Sequence, residues 1–74
     1  MKDKVKFLLS TVLEYPLENI DDQFSMNSAQ EWDSLKQINL ILALEEEFST
    51  YFDDEEIMSM TSLNGILKIL SSRP

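Results

Sequence analysis

The sequence predicts an all-α fold, a small bundle of three longer helices and one short one. Three observations carry that prediction. Apolar residues recur at helical spacing in three segments, 5–13, 35–48 and 63–70. Neither Gly nor Pro interrupts the middle segment. The chain has 74 residues, 43% of them hydrophobic, which suits one modest core and one domain spanning 1–74.

The elements follow in order. Val5, Leu8, Leu9, Val12 and Leu13 define a first helix over about residues 3–14, which Pro16 ends by pushing the preceding residue out of the α region. Residues 16–33 lack periodicity and carry the turn and cap formers Asn19, Asp21, Asp22, Ser25, Asn27 and Ser28. Leu17, Ile20, Phe24 and Met26 should pin this long loop to the core. The strongest helix spans 34–48, with Leu35, Ile38, Leu40, Ile41, Leu42, Leu44 and Phe48 in a wide apolar arc. Leu35, Ile38, Leu42 and Phe48 are expected to meet Val5, Leu9, Leu63 and Leu67 in the core. Asp53-Asp54-Glu55-Glu56 opens a brief third helix with a favourably charged N-terminus. A solvated helix start fits this run better than a metal site, since it lacks the alternating oxygens and Gly of a calcium loop. Met58 and Met60 read as core fillers. Thr61 or Ser62 caps a last helix with Leu63, Ile66, Leu67 and Leu70 on one face, and Gly65 allows close packing against a neighbour. Residues 71–74 form a frayed tail.

Composition excludes several functions. The chain has no Cys and no His, so it lacks disulfides, thiolate nucleophiles and the commonest neutral-pH acid–base group. Catalysis by this chain alone is not expected. The net charge is −8, from 14 acids against 6 bases. Such a surface repels nucleic acid and anionic membranes and favours partners with basic patches. It also suits a soluble monomer. No apolar run reaches the roughly 20 residues of a membrane span and no secretory leader is evident, so a cytoplasmic location is expected.

The most informative stretch is Glu31-Trp32-Asp33-Ser34-Leu35-Lys36, at the start of the long helix. Its plainest reading is a helix cap by Asp33 or Ser34. Ser34 is also the best-placed nucleophilic oxygen in a chain with no base to activate it. That combination points to a serine modified by another enzyme. Trp32 reads either as a plug packing the loop onto the bundle or as a partner contact.

Asp33-Ser34-Leu35, then Ile38, Leu40 and Ala43-Leu44-Glu45-Glu46-Glu47-Phe48, with acids at 53–56 and Thr61-Ser62-Leu63 beyond, resemble the acyl carrier protein family, which includes the carrier domains of polyketide and peptide assembly lines. The resemblance runs from about Trp32 to Leu70. It implies a four-helix carrier fold and a covalent 4′-phosphopantetheine on Ser34, installed from coenzyme A by a phosphopantetheinyl transferase that binds Mg²⁺. Asp33 would belong to the recognition motif. Leu35, Lys36, Asn39, Leu42 and Glu46 would face partner enzymes, among them a loading ligase and acyl-transferring enzymes. The arm's thiol would hold an acyl or aminoacyl group as a thioester. A phosphodiester on Ser34 would also suit the helix N-terminus electrostatically. The family's channel for the acyl chain would lie near Met58.

The pattern departs from the housekeeping fatty-acid type. Trp32 stands where those carriers have a small residue, and Lys36 and Asn39 stand where they have acids. This implies a specialised carrier, for secondary metabolites or surface polysaccharides. The alternatives are a housekeeping fatty-acid carrier and an unmodified acidic helical interaction module.

Overall fold

The computed structural model describes residues 1–73. Among them α1 (Lys2–Leu13), α2 (Ser34–Glu47), α3 (Asp54–Met58) and α4 (Leu63–Ser71) run in chain order, with a 3₁₀ turn at Leu17–Asn19. This is the all-α acyl-carrier-like bundle that the sequence predicts, short third helix included. α1 packs against both α2 and α4. Val5, Leu9 and Leu13 join Leu40, Leu44, Leu63, Ile66 and Leu70 in one buried cluster.

α1 ends one residue before the expected boundary, where Glu14 turns left-handed with φ 54° and its N–H donates to the Ser10 carbonyl. The following loop is folded inward by Ile20, Phe24, Ala29 and Trp32, all buried. Leu17, expected to be an anchor, is 45% exposed. It opens the 3₁₀ turn and faces outward. Phe24 lies between Tyr15 and Trp32, its ring centroid 5.2 Å from one and 5.7 Å from the other. Hydrogen bonds from Lys2, and next from Lys6, fasten Asp22 to α1 and hold its carboxyl below the usual carboxylate range. At the other end the Leu63 N–H donates to the Phe24 carbonyl and the Met26 N–H to the Thr61 carbonyl. The long loop is thus stitched to both α1 and α4.

The core face of α2 corrects the sequence reading. Leu35, Ile38 and Leu42 are 66%, 59% and 59% exposed. The buried face is Gln37, Leu40, Ile41 and Leu44, on the far side of the helix. α2 carries two apolar stripes; α1 packs on this helix, and the stripe that contains Gln37 is the one held to the loop at Trp32 and to Met60. Phe48 and Leu67 are only partly buried, packed against the edge of the core.

α3 has no buried residue of its own. A reciprocal capping box forms it: Asp53 accepts from the Glu56 N–H while Glu56 accepts from the Asp53 N–H. Phe52 and Met60, both buried, anchor it on either side. Met58, expected in the core, is 79% exposed.

The expected frayed tail is instead fastened as far as residue 73. The Arg73 guanidinium donates to both Glu56 carboxylate oxygens at 2.7 and 2.8 Å, to the Tyr51 carbonyl and to the Thr50 hydroxyl. It also lies 5.1 Å from the Phe52 ring centroid. Pro74 lies outside the described residues. The Arg73 hydrogen bonds, followed by the Asp53 N–H, lower the Glu56 carboxyl from 4.5 to about 2. A depressed carboxylate stabilises the fold above its unfolded value and loses that effect as pH falls toward its folded value. Arg73→Ala should therefore lower the melting temperature at neutral pH. It should also flatten the decline between pH 5 and pH 2, as thermal melts across that range will show.

Gly65 meets the expectation of close packing. A Cβ there would collide with the Ser59 backbone carbonyl at the end of α3. Gly65→Ala should cost about 1–3 kcal/mol in a denaturant titration, despite alanine's better helix propensity.

Candidate functional site

The start of α2 is where loop, helix and surface converge. Asp33, not Ser34, is the N-cap: its carboxylate accepts from the Lys36 N–H at 2.9 Å. Ser34 is left at the first helical position, exposed, with its hydroxyl outside the cap. The cap and the first helical bond use the N–H groups of Lys36 and Gln37. Those of Ser34 and Leu35 remain as first-turn donors for an anion. The site thus offers a reachable hydroxyl beside unused donors. It offers no base, because Asp33 is occupied as a cap and the chain has no His or Cys. A phosphate ester on Ser34 would meet the two unused donors.

Trp32 fixes the approach to Ser34. It is 2% exposed, which settles it as a plug that packs the loop. Its indole N–H donates to the Gln37 Oε1 at 2.6 Å, and Gln37 Nε2 donates to the Met60 carbonyl at 2.9 Å. Gln37 is the one buried polar side chain among the described residues. Both ends of its amide are paired, as a buried polar group requires. This polar bridge joins the loop before Ser34 to the turn before α4. Sequence periodicity gave it no signal, since glutamine on an apolar helix reads as surface.

The other predicted residues separate into two groups. Leu35, Asn39, Leu42 and Glu46 follow the spacing of one exposed helix line, and each is exposed. Lys36 turns away from them. Its ammonium lies 3.3 Å from the Val12 carbonyl and 3.8 Å from Glu14, where a cation complements the end of α1. Of the acids in the Glu45-Glu46-Glu47 run, Glu45 accepts from the Phe52 N–H and Glu47 pairs with Lys4. Glu46 is left to solvent. Among the described residues, four of the fourteen acids take up five of the six cations. The uncompensated charge is therefore almost wholly negative.

A groove of about 310 Å³ runs along α2 on the flank opposite Lys36, lined by Gln37, Ile38, Ile41, Leu42, Glu45, Tyr51, Phe52, Asp54 and Ile57. Ser34, Ile38, Ile41 and Glu45 have the i, i+4, i+7, i+11 spacing of a single helix line, so the groove starts one turn below the Ser34 hydroxyl. Met58, expected beside such a channel, does not line it; Ile57 does. A cavity of about 450 Å³ bounded by Met1, Phe48 and Arg73 lies at the opposite end of α2, about 20 Å from Ser34 by helix rise. No helix among the described residues is long and apolar enough to cross a membrane.

Comparisons with known proteins show the family. The family profile described as phosphopantetheine attachment site matches residues 3–70. The chain is 30% identical over 71 residues to an acyl carrier protein of Thermosynechococcus vestitus, covering 96% of this chain and 88% of the relative. It is 26% identical to the polyketide-8 synthase acyl carrier protein 2 of Streptomyces avermitilis, covering 97% and 83%. It is 20% identical to acyl carrier protein 3 of Ralstonia nicotianae, covering 95% and 80%. With a helical bundle, an exposed serine at the head of α2 and a match over nearly its whole length, the chain belongs to the acyl carrier protein family, whose cofactor is 4′-phosphopantetheine.

Proposed function

We propose that Ser34 is the attachment point and that the chain shuttles an acyl or aminoacyl group, held as a thioester, between partner enzymes in a specialised cytoplasmic pathway. The observation that carries this reading is the division of labour at the helix start. Asp33 does the capping, so the Ser34 hydroxyl stands free, exposed and held in place on a rigid helix.

In the modification step a phosphopantetheinyl transferase supplies the base that removes the Ser34 proton. Ser34 Oγ forms a bond to the pantetheine-side phosphorus of coenzyme A, and the bond to the departing 3′,5′-adenosine bisphosphate breaks. The arm, once bound, supplies the thiol that this chain lacks. The unused N–H groups of Ser34 and Leu35 would hold the phosphate ester.

Asp33 belongs to the surface the transferase reads. Leu35, Leu42, Asn39 and Glu46 form a partner face in which apolar contacts are bordered by uncompensated acids. This favours monomeric docking to enzymes with basic patches, such as a loading ligase. Asn39 keeps that face less acidic than a fatty-acid carrier's. Lys36 contributes only through its stem, because its ammonium is bound to α1. Asn39→Glu alone should therefore raise loading by fatty-acid synthesis enzymes several-fold, measured as transfer rate at fixed enzyme; an unchanged rate would remove Asn39 from partner choice.

The central test is co-expression with a broad-specificity phosphopantetheinyl transferase, followed by intact-mass analysis and fragmentation of the modified peptide. The expected result is one arm, on Ser34. A protein that stays unmodified would leave only the interaction-module reading.

A further inference from the structure

We propose that Gln37 is a positioning residue for arm attachment: it holds the turn that carries Ser34 in the orientation a transferase needs. The inference rests on the reading of Ser34 as the attachment point. It starts from how little else holds that turn. The N–H groups of Ser34 and Leu35 are the unbonded donors of a helix start. The bond from the Lys36 N–H to the Asp33 cap is exposed, so water competes for it, and helix ends held only in this way fray.

Gln37 grips the same turn from the inside. It lies one turn along α2 from Ser34, and helical side chains slant back toward the N-terminus. Its side chain is therefore led toward the incoming loop. There its Oε1 accepts from the Trp32 indole N–H at 2.6 Å, while its backbone N–H donates to the Asp33 carbonyl at 2.9 Å. One residue thus holds both residues that precede Ser34. The far side of the grip is fixed too. Gln37 Nε2 donates to the Met60 carbonyl, and the Trp32 ring stacks on Phe24. Trp32 and Gln37 are both buried, so this bridge is shielded from water where the cap is not.

An apolar residue in place of Gln37 would leave the buried indole N–H without a partner. Trp32 would turn outward to hydrate it, and Asp33 and Ser34, next in the chain, would follow. The helix beyond would persist, because Leu40, Ile41 and Leu44 pack it. The consequence falls on the reaction. Ser34 Oγ must approach the pantetheine-side phosphorus of coenzyme A opposite the departing 3′,5′-adenosine bisphosphate, while its proton passes to the transferase's base. A misplacement of about 1 Å in such a step costs up to about a hundredfold in rate. The exposed docking residues Asn39, Leu42 and Glu46 lie further along α2 and stay in place. Loss of the bridge therefore lowers kcat and spares KM.

The test measures arm transfer from coenzyme A by a broad-specificity phosphopantetheinyl transferase, with the whole chain as acceptor at varied concentration. In Gln37→Leu kcat should fall about tenfold or more, with KM within about twofold of native. Trp32→Phe keeps a ring against Phe24 and removes only the donor. It should lower kcat in the same way, and the double variant should be no slower than the slower single one, because both changes break one bridge. Arg73→Ala loses stability at the opposite end of α2 and should leave kcat unchanged, which sets positioning apart from stability. Native kcat in a Gln37→Leu chain that circular dichroism shows folded would overturn the proposal. So would an equal loss of kcat in Arg73→Ala. If Gln37→Leu does not fold, Trp32→Phe decides.

Amide nitrogen relaxation on the unmodified chain puts the same question without the transferase. In Gln37→Leu the order parameters of Asp33, Ser34 and Leu35 should fall from about 0.85 toward about 0.6, while those of residues 40–44 hold. Unchanged values at all three would refute the positioning role. A native chain that accepts no arm would count against Ser34 as the attachment point, and the relaxation data would still decide whether Gln37 orders the turn.

Discussion

Ser34→Ala is expected to abolish arm attachment completely while leaving the melting curve within about 0.5 kcal/mol of the native chain. The two halves of this expectation come from one geometric fact. Asp33 accepts the Lys36 N–H, so the helix start does not depend on the serine. Ser34 is exposed, so its removal opens no cavity. All that is lost is an oxygen. Intact-mass analysis after co-expression with the transferase reads the first half, and a circular-dichroism melt reads the second. An arm found on the alanine variant would assign it to another hydroxyl and end the Ser34 assignment. A large loss of stability would show that the hydroxyl does structural work the cap geometry does not reveal.

Phe52→Ala should cost about 3–5 kcal/mol, a large share of what a small domain has. Phe52 is 2% exposed and among the largest fully buried side chains. It lies under the Arg73 guanidinium and beside the groove, and its N–H is held by Glu45. Truncation would undermine the segment that carries α3, whose own residues bury nothing completely. The contrast is Leu42→Ala, which removes a side chain 59% exposed on α2 and should stay within about 0.5 kcal/mol. Parallel urea titrations of the two variants check the core assignment. Comparable losses would return Leu42 to the interior.

The pair also shows what the sequence did and did not reveal. α1, α2, α3 and α4 were legible because periodicity, Pro16, the acids at 53–56 and Ser62 act locally. The family was legible because the neighbours of Ser34 form an extended pattern. The inner face of α2 was not. Its apolar arc is wide enough to contain two stripes, and periodicity alone cannot say which one neighbours will cover. The deciding residue, Gln37, misleads by its polarity. It is buried because Trp32 and Met60, distant in sequence or hidden in a loop, satisfy its amide. The Arg73 clamp was missed for a related reason: a terminal Ser-Ser-Arg has no local pattern, and its partner Glu56 was already explained by the α3 cap.

Trp32 is the chain's single tryptophan, and it stands two residues before Ser34. It is buried, stacked near Phe24 and hydrogen-bonded to Gln37. The protein therefore carries an intrinsic fluorophore at the head of α2. Its emission reports one environment without contributions from elsewhere, and tyrosine excitation can be filtered out. Any rearrangement of the loop on docking to a partner that lacks tryptophan would be visible in stopped-flow fluorescence on the unlabelled chain. The timing of such an encounter would then be read from the residue that holds the loop in place.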